Sequence, residues 1–280
     1  MRAGTRGALV KKEANMSGHS KWATTKHRKA AQDAKRSALF SKLSRNITVA
    51  AKEGGDPNPE NNASLADAIE KAKGYSLPKD KIKTAIDKAF GTGKDAANYE
   101  TLTYEGYGPA GVAFYCEALT DNRNRTAADV AAAFRHAGGS LGTPGCVAFQ
   151  FERKGQIMVE KIIPSEEKKV ADKLNAVDED EFMMQVAEAG GLDYEDDDEQ
   201  WLVYTDPSEL MSVVAGLEAQ GIEVKGAELT RVPSTYTQVS VSDAAKVMRL
   251  FDRLEELEDL QNVYHTMEMT DEIVAALEEE

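Results

Sequence analysis

The sequence predicts an α+β protein: an N-terminal helical bundle plus two ferredoxin-like α/β domains, the third domain inserted into the second. Apolar residues recur at spacings of three and four through the first third of the chain, which is typical of packed helices. Farther on, short apolar runs bounded by glycine and proline predict strands that alternate with helices. We expect a basic helical domain over residues 16–96, a split α/β domain over 97–152 plus 232–280, and an inserted α/β domain over 153–231.

Three helices are predicted in the bundle. The first covers about residues 30–52 and has an apolar face. Its cations fall largely on the other faces, which meet solvent or phosphate; they are Lys35, Lys42, Arg45 and Lys52. The second covers residues 62–73. The third begins at Pro78, because proline is favoured in the first turn of a helix.

The split domain is predicted from two strand, helix, strand patterns that flank the insertion. In the first pattern, Thr126 and Asp129 resemble the capping box that starts a helix. Strands are expected at residues 101–104, 111–118, 146–151, 236–241 and 260–265. The stretch 155–230 has the strand and helix order of a ferredoxin-like unit of its own.

A basic stretch at residues 18–36 differs from the rest of the chain. Lys and Arg bind phosphate, and an exposed indole or imidazole can stack on an unpaired base, so this composition indicates a nucleic-acid-binding segment. The alternative is a solvated positive helix end with its tryptophan packed in a core. The candidate nucleic-acid-binding residues in this stretch are Lys21, Trp22, Lys26, His27, Arg28, Lys29, Lys35 and Arg36.

The charge of the 280-residue chain is bipolar. Residues 1–53 contain 13 Lys or Arg and 3 acidic residues, whereas the remainder contains 21 and 45. The formal net charge of -14 argues against a protein that coats nucleic acid with its whole surface. We expect the basic end to orient binding and to make binding depend steeply on salt.

A polar turn after a predicted buried strand adds two candidate binding residues, Arg123 and Arg125. Their planar guanidinium groups suit a phosphate or a base edge. Asn122 and Asn124 supply further donors in the same turn. The alternative is that both arginines pair with carboxylates of the acidic body.

The sequence contains no recognisable catalytic motif. The histidines lack metal-ligand spacing, and phosphate-loop, dinucleotide-binding and nucleophile-elbow patterns are missing. Glycine-rich residues 138–145 could cradle a phosphate, although a simple turn is the favoured interpretation. Acidic runs at 178–181 and 195–199 lack the calcium-loop pattern and are interpreted as solvated faces. We expect no enzyme activity, metal, cofactor or small-molecule substrate.

Cysteine content and hydropathy bear on the cellular compartment. Cys116 and Cys146 lie in apolar runs, which indicates buried thiols and a reducing, cytoplasmic location. The sequence has no run of about twenty apolar residues that would span a membrane. Residues 1–15 are basic without a secretory apolar core, so they are interpreted as a disordered leader or as a start site misassigned ahead of Met16.

Several motifs, taken together and in consistent order from Met16 to the C-terminal end, resemble the YebC family. They are GHSKWA at 18–23, KHRK at 26–29, YEGYGP at 104–109, LTDNRNRT at 119–126 and NVYH at 262–265. The resemblance implies a helical N-terminal domain, two α/β domains with the third inserted into the second, and a nucleic-acid-binding protein that is not an enzyme.

Two kinds of target are implied by this resemblance. Family members are described as transcriptional regulators, which favours DNA. A mitochondrial relative activates translation of cytochrome oxidase subunit one, which favours RNA in the ribosome and the translation of difficult, proline-rich sequences. A basic arm with an exposed aromatic residue and no recognisable helix-turn-helix suits a phosphate-lined cleft better than a major groove.

Overall fold

The computed structural model describes residues 32–91, 99–163, 173–197 and 199–278. Over these residues the chain forms helices first and antiparallel sheets afterwards, which confirms the predicted α+β class. The chain divides into two compact units. The described part of one unit lies within 32–150 and 235–267, and that of the other lies within 151–234 and 268–278. The predicted three-domain boundaries stay a prediction.

The helices and strands are numbered here in chain order. They are α1 Gln32–Gly54, α2 Ala63–Gly74, α3 Lys79–Ala89, β1 Glu100–Tyr107, β2 Ala113–Thr120, α4 Arg123–His136, β3 Ser140–Leu141, β4 Phe151–Glu160, β5 Ile162–Ile163, β6 Lys173–Leu174, α5 Glu179–Ala189, β7 Asp193–Asp197, β8 Gln200–Thr205, α6 Leu210–Ala219, β9 Gly226–Pro233, α7 Val241–Glu255, β10 Leu260–His265 and α8 Asp271–Glu278. Short 3-10 turns lie at Pro109–Gly111 and Ala148–Gln150.

The long helix α1 packs against both α2 and α3, as the sequence predicts. Its fully buried Ile47 joins Leu65 of α2 and Ile82 of α3 in one apolar cluster. Asn62 caps α2 by accepting a hydrogen bond from the Leu65 backbone N–H at 3.1 Å. The Asn62 amide also donates to the Ala50 carbonyl at 3.0 Å, so the cap fixes α2 to α1. Pro78 immediately precedes α3, which confirms the predicted start.

The sheet of the split domain has the antiparallel order β10-β2-β1-β3. Helices α4 and α7 pack on it and on each other. Buried Phe114 of β2 meets Phe134 of α4 edge to face at 5.8 Å, and Phe251 of α7 meets His265 at 5.4 Å. The sheet order is that of a ferredoxin-like fold. The order along the chain differs, because the central strand β1 precedes both the β2-α4-β3 segment and the α7-β10 segment, whereas the usual fold has this strand between them.

Two predicted strands of this domain are wrong. Within residues 146–151 the chain bends at 146 and 147 and forms a 3-10 turn at Ala148–Gln150, and only Phe151 is extended, where it opens β4 of the other unit. The strand that follows α4 is the two-residue β3. Within 236–241 the structure has an isolated bridge from Thr237 to Met267, and Ser240 caps α7 by accepting from the Asp243 N–H. Of the two runs only Val147 and Phe151 are buried, and turn and cap contacts use the backbone groups that a strand would have paired.

The inserted unit has the antiparallel sheet order β7-β8-β4-β9 with helices α5 and α6. This order and the sequence of elements confirm the predicted ferredoxin-like unit. Its core centres on Trp201, which stacks on Phe182 at 5.2 Å and donates its indole N–H to the Ala176 carbonyl at 2.7 Å. At the ends of the insertion, Phe151 of β4 pairs directly with Pro233 of β9.

Because the insertion begins and ends side by side, we expect that it can be removed. Replacing residues 152–232 by a short Gly-Ser linker should leave a remainder that unfolds cooperatively, since paired strand residues lie about 5 Å apart. Circular dichroism and thermal unfolding of the shortened chain test this. A remainder without a cooperative transition, beside an excised piece that folds normally, would contradict the expectation.

Candidate functional site

Most of the predicted basic stretch lies outside the described residues. This holds for Lys21, Trp22, Lys26, His27, Arg28 and Lys29. Lys35 and Arg36 lie in α1, but the structure describes its side chains only from residue 37 onward. The binding role of all eight residues therefore stays a prediction, and the described part of the site begins with the Arg123 and Arg125 turn.

The turn at Arg123 and Arg125 forms the start of α4. Asn122 is the cap of this helix, because its side chain accepts a hydrogen bond from the Arg125 N–H at 3.1 Å. The predicted capping box at Thr126 and Asp129 is therefore wrong. Thr126 is buried within the first turn, and its hydroxyl contacts Thr120, Asp259 and the Asn122 carbonyl instead of accepting a backbone N–H as a cap would.

The carboxylate of Asp259, just before β10, is the centre of a polar cluster. It accepts hydrogen bonds from Arg125 at 2.8 Å, from the Thr126 hydroxyl at 2.7 Å and from the Thr120 hydroxyl at 3.2 Å. Arg45 of α1 forms an ion pair with it at 2.8 Å. Asp259 is only 7% exposed, so one buried carboxylate joins α1, the end of β2, the start of α4 and the segment before β10.

Arg125 thus pairs with carboxylates of the acidic part of the chain, which is the alternative to a binding role that the sequence left open. It also binds Asp121 at 2.9 Å, and the hydrogen bonds to Asp259 and Asp121 raise its pKa. Its side chain is still 46% exposed, so one edge of the guanidinium faces solvent. The exposed Arg123 has no ion pair with any residue that the structure describes, which makes it the arginine better placed for an external phosphate.

The placement of Lys42 and Arg45 on a solvent or phosphate face is wrong. The Lys42 ammonium donates to the Glu255 carbonyl at the end of α7 at 2.9 Å, and burial lowers its pKa. Arg45 forms ion pairs with Glu258 and Asp259, which follow the end of α7. These two cations dock α1 on the α/β part of the same unit.

We expect Asp259→Asn to lower the free energy of unfolding by about 2 kcal/mol at pH 7, because hydrogen bonds to charged groups are lost. Burial raises the pKa of Asp259, but hydrogen bonds from Arg125 and Thr126 and the nearby arginine charges outweigh it and lower the pKa overall. A carboxyl with a lowered pKa stabilises the fold above its unfolded pKa of about 4. That contribution disappears as pH falls through the folded pKa.

The difference in melting temperature between wild type and Asp259→Asn should therefore shrink below about pH 4. Thermal unfolding at pH 7, 5 and 3 measures it. The exposed Asp87→Asn in α3 is the control and should behave like wild type at each pH. Equal destabilisation by Asp259→Asn at pH 7 and pH 3 would contradict the charge-based role.

An open cavity of about 480 Å³ adjoins this cluster. Arg45 and Arg125 line it together with the acids Asp121, Asp129, Glu256, Glu258 and Asp259. Since the acids outnumber the cations, the cavity itself repels phosphate.

The glycine-rich loop after β3 is a turn held by Glu105 of β1. The Glu105 carboxylate, 4% exposed, accepts backbone hydrogen bonds from Gly145 at 2.7 Å and from Val147 and Ala148 at 2.8 Å. Its carbonyl accepts from Gly142 at 2.7 Å. These N–H groups are the donors that a phosphate would need. The favoured interpretation, a simple turn, is confirmed.

In the described ranges there is no group of three His, Cys, Asp or Glu side chains that could hold a metal ion. No helix in that part of the chain is long and apolar enough to cross a membrane.

Comparison with known proteins gives consistent matches over nearly the whole chain. Residues 20–92 match a model of the TACO1/YebC protein N-terminal domain, and residues 99–267 match one of the TACO1/YebC second and third domain. A probable transcriptional regulatory protein of Rubrobacter xylanophilus is 48% identical over 93% of this chain and 98% of its own. One of Bifidobacterium animalis is 46% identical over 95% and 100%.

A solved structure agrees with these matches. The crystal structure of a conserved hypothetical protein from Aquifex aeolicus superposes with a TM-score of 0.74 and 41% identity, covering 90% of this chain and 98% of that one. Both parts of the chain, the helical bundle and the α/β units, are covered by the family models. The chain belongs to the TACO1/YebC family.

Proposed function

We propose that this protein is a regulatory protein of the cytoplasm that acts by binding nucleic acid, without catalytic turnover. The observation that carries the proposal is the concentration of 13 Lys or Arg against 3 acids in residues 1–53 of an otherwise acidic chain. Such a charge distribution attracts phosphate at one end and repels it elsewhere. The α1 contacts through Lys42 and Arg45 support it, because they attach α1, the helix that continues from the basic stretch, to the α/β part of the same unit.

DNA is the first candidate target, and the protein would then be a DNA-binding transcriptional regulator. The support comes from its relatives, which are named probable transcriptional regulatory proteins at 44% to 48% identity. Such binding would place the basic stretch along the phosphates of the duplex, with Arg123 as an additional contact.

RNA in the ribosome is the second candidate, and the protein would then assist translation of difficult, proline-rich sequences. The acidic body favours this target: 45 acids against 21 cations beyond residue 53 would resist lying along a duplex. A ribosome offers clefts lined by phosphate into which a basic segment with an aromatic residue can extend.

One experiment separates the two candidates. Purified protein is sedimented with ribosomes, with and without nuclease, and its binding to duplex DNA is measured in the same salt. DNA binding without ribosome association supports the transcriptional role, and nuclease-sensitive co-sedimentation with weak DNA binding supports the translational one. If neither binds, or if the protein hydrolyses a nucleotide or nucleic acid at a site that mutation removes, the proposal is wrong.

A further inference from the structure

A second cavity, open and about 370 Å³ in volume, lies in the helical bundle and has a different character from the acidic one. We call it the α1/α3 groove, after the helices that form most of it. Two aromatic rings line it, Phe40 of α1 and Tyr99 just before β1. Two lysines of α3, Lys81 and Lys88, line it as well. Its volume is at the lower end of the range for small-ligand sites, which suits one nucleotide and excludes a duplex.

The groove carries uncompensated positive charge. Lys81 and Lys88 are exposed and seven residues apart, so they lie two turns apart on one side of α3. Glu258 is the one acidic residue among the described residues that line the groove, and its carboxylate is paired with Arg45 at 3.3 Å. Arg45 is in turn held by Asp259. The charge available to a ligand is therefore that of the two lysines.

The rings and hydroxyl groups of the groove fit the other half of a nucleotide. Phe40 and Tyr99 are half-buried, so each keeps part of its ring accessible. Lys81 already lies over the Phe40 ring, with its nitrogen 5.6 Å from the ring centroid. Ser44 and Thr84 donate to backbone carbonyls of their own helices, which leaves their oxygens as acceptors. Rings beside cations and acceptors are the arrangement that binds unpaired bases and their phosphates.

We infer that the α1/α3 groove binds one nucleotide of single-stranded nucleic acid, with phosphate on Lys81 and Lys88 and the base against Tyr99 and Phe40. The inference rests on the proposed nucleic-acid function and specifies a second contact region beyond the basic stretch. Single-stranded RNA and single-stranded DNA share this chemistry. A duplex keeps its bases stacked inside and gains only the phosphate contacts.

The test compares two double variants of the full chain. Lys81→Ala with Lys88→Ala removes the groove lysines. Lys79→Ala with Lys83→Ala removes the same charge from exposed positions of α3 outside the groove. Fluorescence anisotropy measures binding to labelled 12-nucleotide RNA, DNA of the same sequence, and the matching DNA duplex, over a salt series. Thermal unfolding confirms that both variants are folded.

We expect the groove variant to bind both single strands about tenfold more weakly, with a log affinity against log salt slope shallower by about 1.4, or about 0.7 for each lost phosphate contact. The control variant should change affinity less than about twofold. A larger loss on RNA than on DNA would identify RNA as the source of the strand. Equal losses for the two variants, or an equal loss on the duplex, would overturn the groove assignment.

Tyr99 provides an independent readout of base stacking. Tyr99→Leu should weaken single-strand binding about tenfold, whereas Tyr99→Phe keeps the ring and should bind like wild type. Equal binding by both variants would overturn the stacking contact. If wild type itself binds none of the three probes, the nucleic-acid function is wrong. If wild type binds and the groove variants do too, only the groove assignment is wrong.

Discussion

Glu105→Ala is expected to lower the free energy of unfolding by about 4 kcal/mol, because three backbone N–H groups lose a charged acceptor at a largely buried position. For a unit of this size that corresponds to a drop in melting temperature of about 10 °C. Glu105→Gln keeps the shape of the side chain but directs its amide N–H₂ at one of these donors. It should therefore lie between wild type and the alanine variant.

Local readouts make this prediction specific to the loop. Hydrogen exchange of the 141–150 peptide should become faster in Glu105→Ala, because Gly145, Val147 and Ala148 lose their acceptor. Burial first, and then the Glu105 charge, raise the pKa of the Cys146 thiol. Removing that charge should increase thiol labelling of Cys146, while the fully buried Cys116 stays unreactive.

The exposed Glu100→Ala on the same strand is the matched control, with an expected effect within about 0.5 kcal/mol. If Glu105→Ala left both the melting temperature and the exchange of the loop as in wild type, the loop would be held by something other than this carboxylate. If Glu100→Ala and Glu105→Ala were equally unstable, the negative charge of strand β1 in general would be responsible.

The elements with strong periodicity could be predicted from the sequence. Helices α1 and α2 lie within about two residues of the predicted ranges, and α3 begins directly after the predicted Pro78, because each buries a regular apolar face. The ferredoxin-like order of the insertion also followed from the pattern of its strands. These features depend on neighbours in sequence, which the pattern contains.

What could not be predicted depends on partners distant in sequence. Residues 146–151 have the apolar composition of a strand, but Val147 gives its N–H to Glu105, forty-two positions earlier. Lys42 and Arg45 have the spacing of a solvent-facing side, but their partners Glu255 and Asp259 lie more than two hundred positions later. A buried polar partner of this kind leaves no periodic signal, because the sequence does not distinguish the one carboxylate that is buried from the other Asp and Glu residues among the 48.

The candidate site was likewise predictable only in part. Composition identified the basic stretch, because charge density needs no knowledge of the fold. It did not identify the α1/α3 groove, since Lys81, Lys88 and Tyr99 are unremarkable in sequence and meet Phe40 only through the packing of α3 on α1. Arg123 and Arg125 are two positions apart, yet Arg125 is held by Asp259 whereas Arg123 is exposed.

The largest effect on binding is expected from the basic stretch. Replacing Lys26, Arg28 and Lys29 by alanine removes three potential phosphate contacts, so the slope of log affinity against log salt should become shallower by roughly two to three units. At physiological salt the affinity should fall by about a hundredfold or more. Fluorescence anisotropy over a salt series, on the same RNA and DNA probes as above, measures both quantities.

The control for net charge is a triple alanine variant of Lys173, Lys225 and Lys246 on the α/β units. These lysines pair with Glu223, Glu160 and Asp243, so their loss changes the total charge equally without removing a free phosphate contact. A similar change of slope in both triple variants would show that overall charge, and not the basic stretch, sets the affinity. An unchanged slope after replacing Lys26, Arg28 and Lys29 would show that phosphate binds elsewhere. The salt dependence would then be expected to fall in the variant that lacks Lys81 and Lys88, because these two lysines lie in a groove whose acidic residue Glu258 is already paired with Arg45.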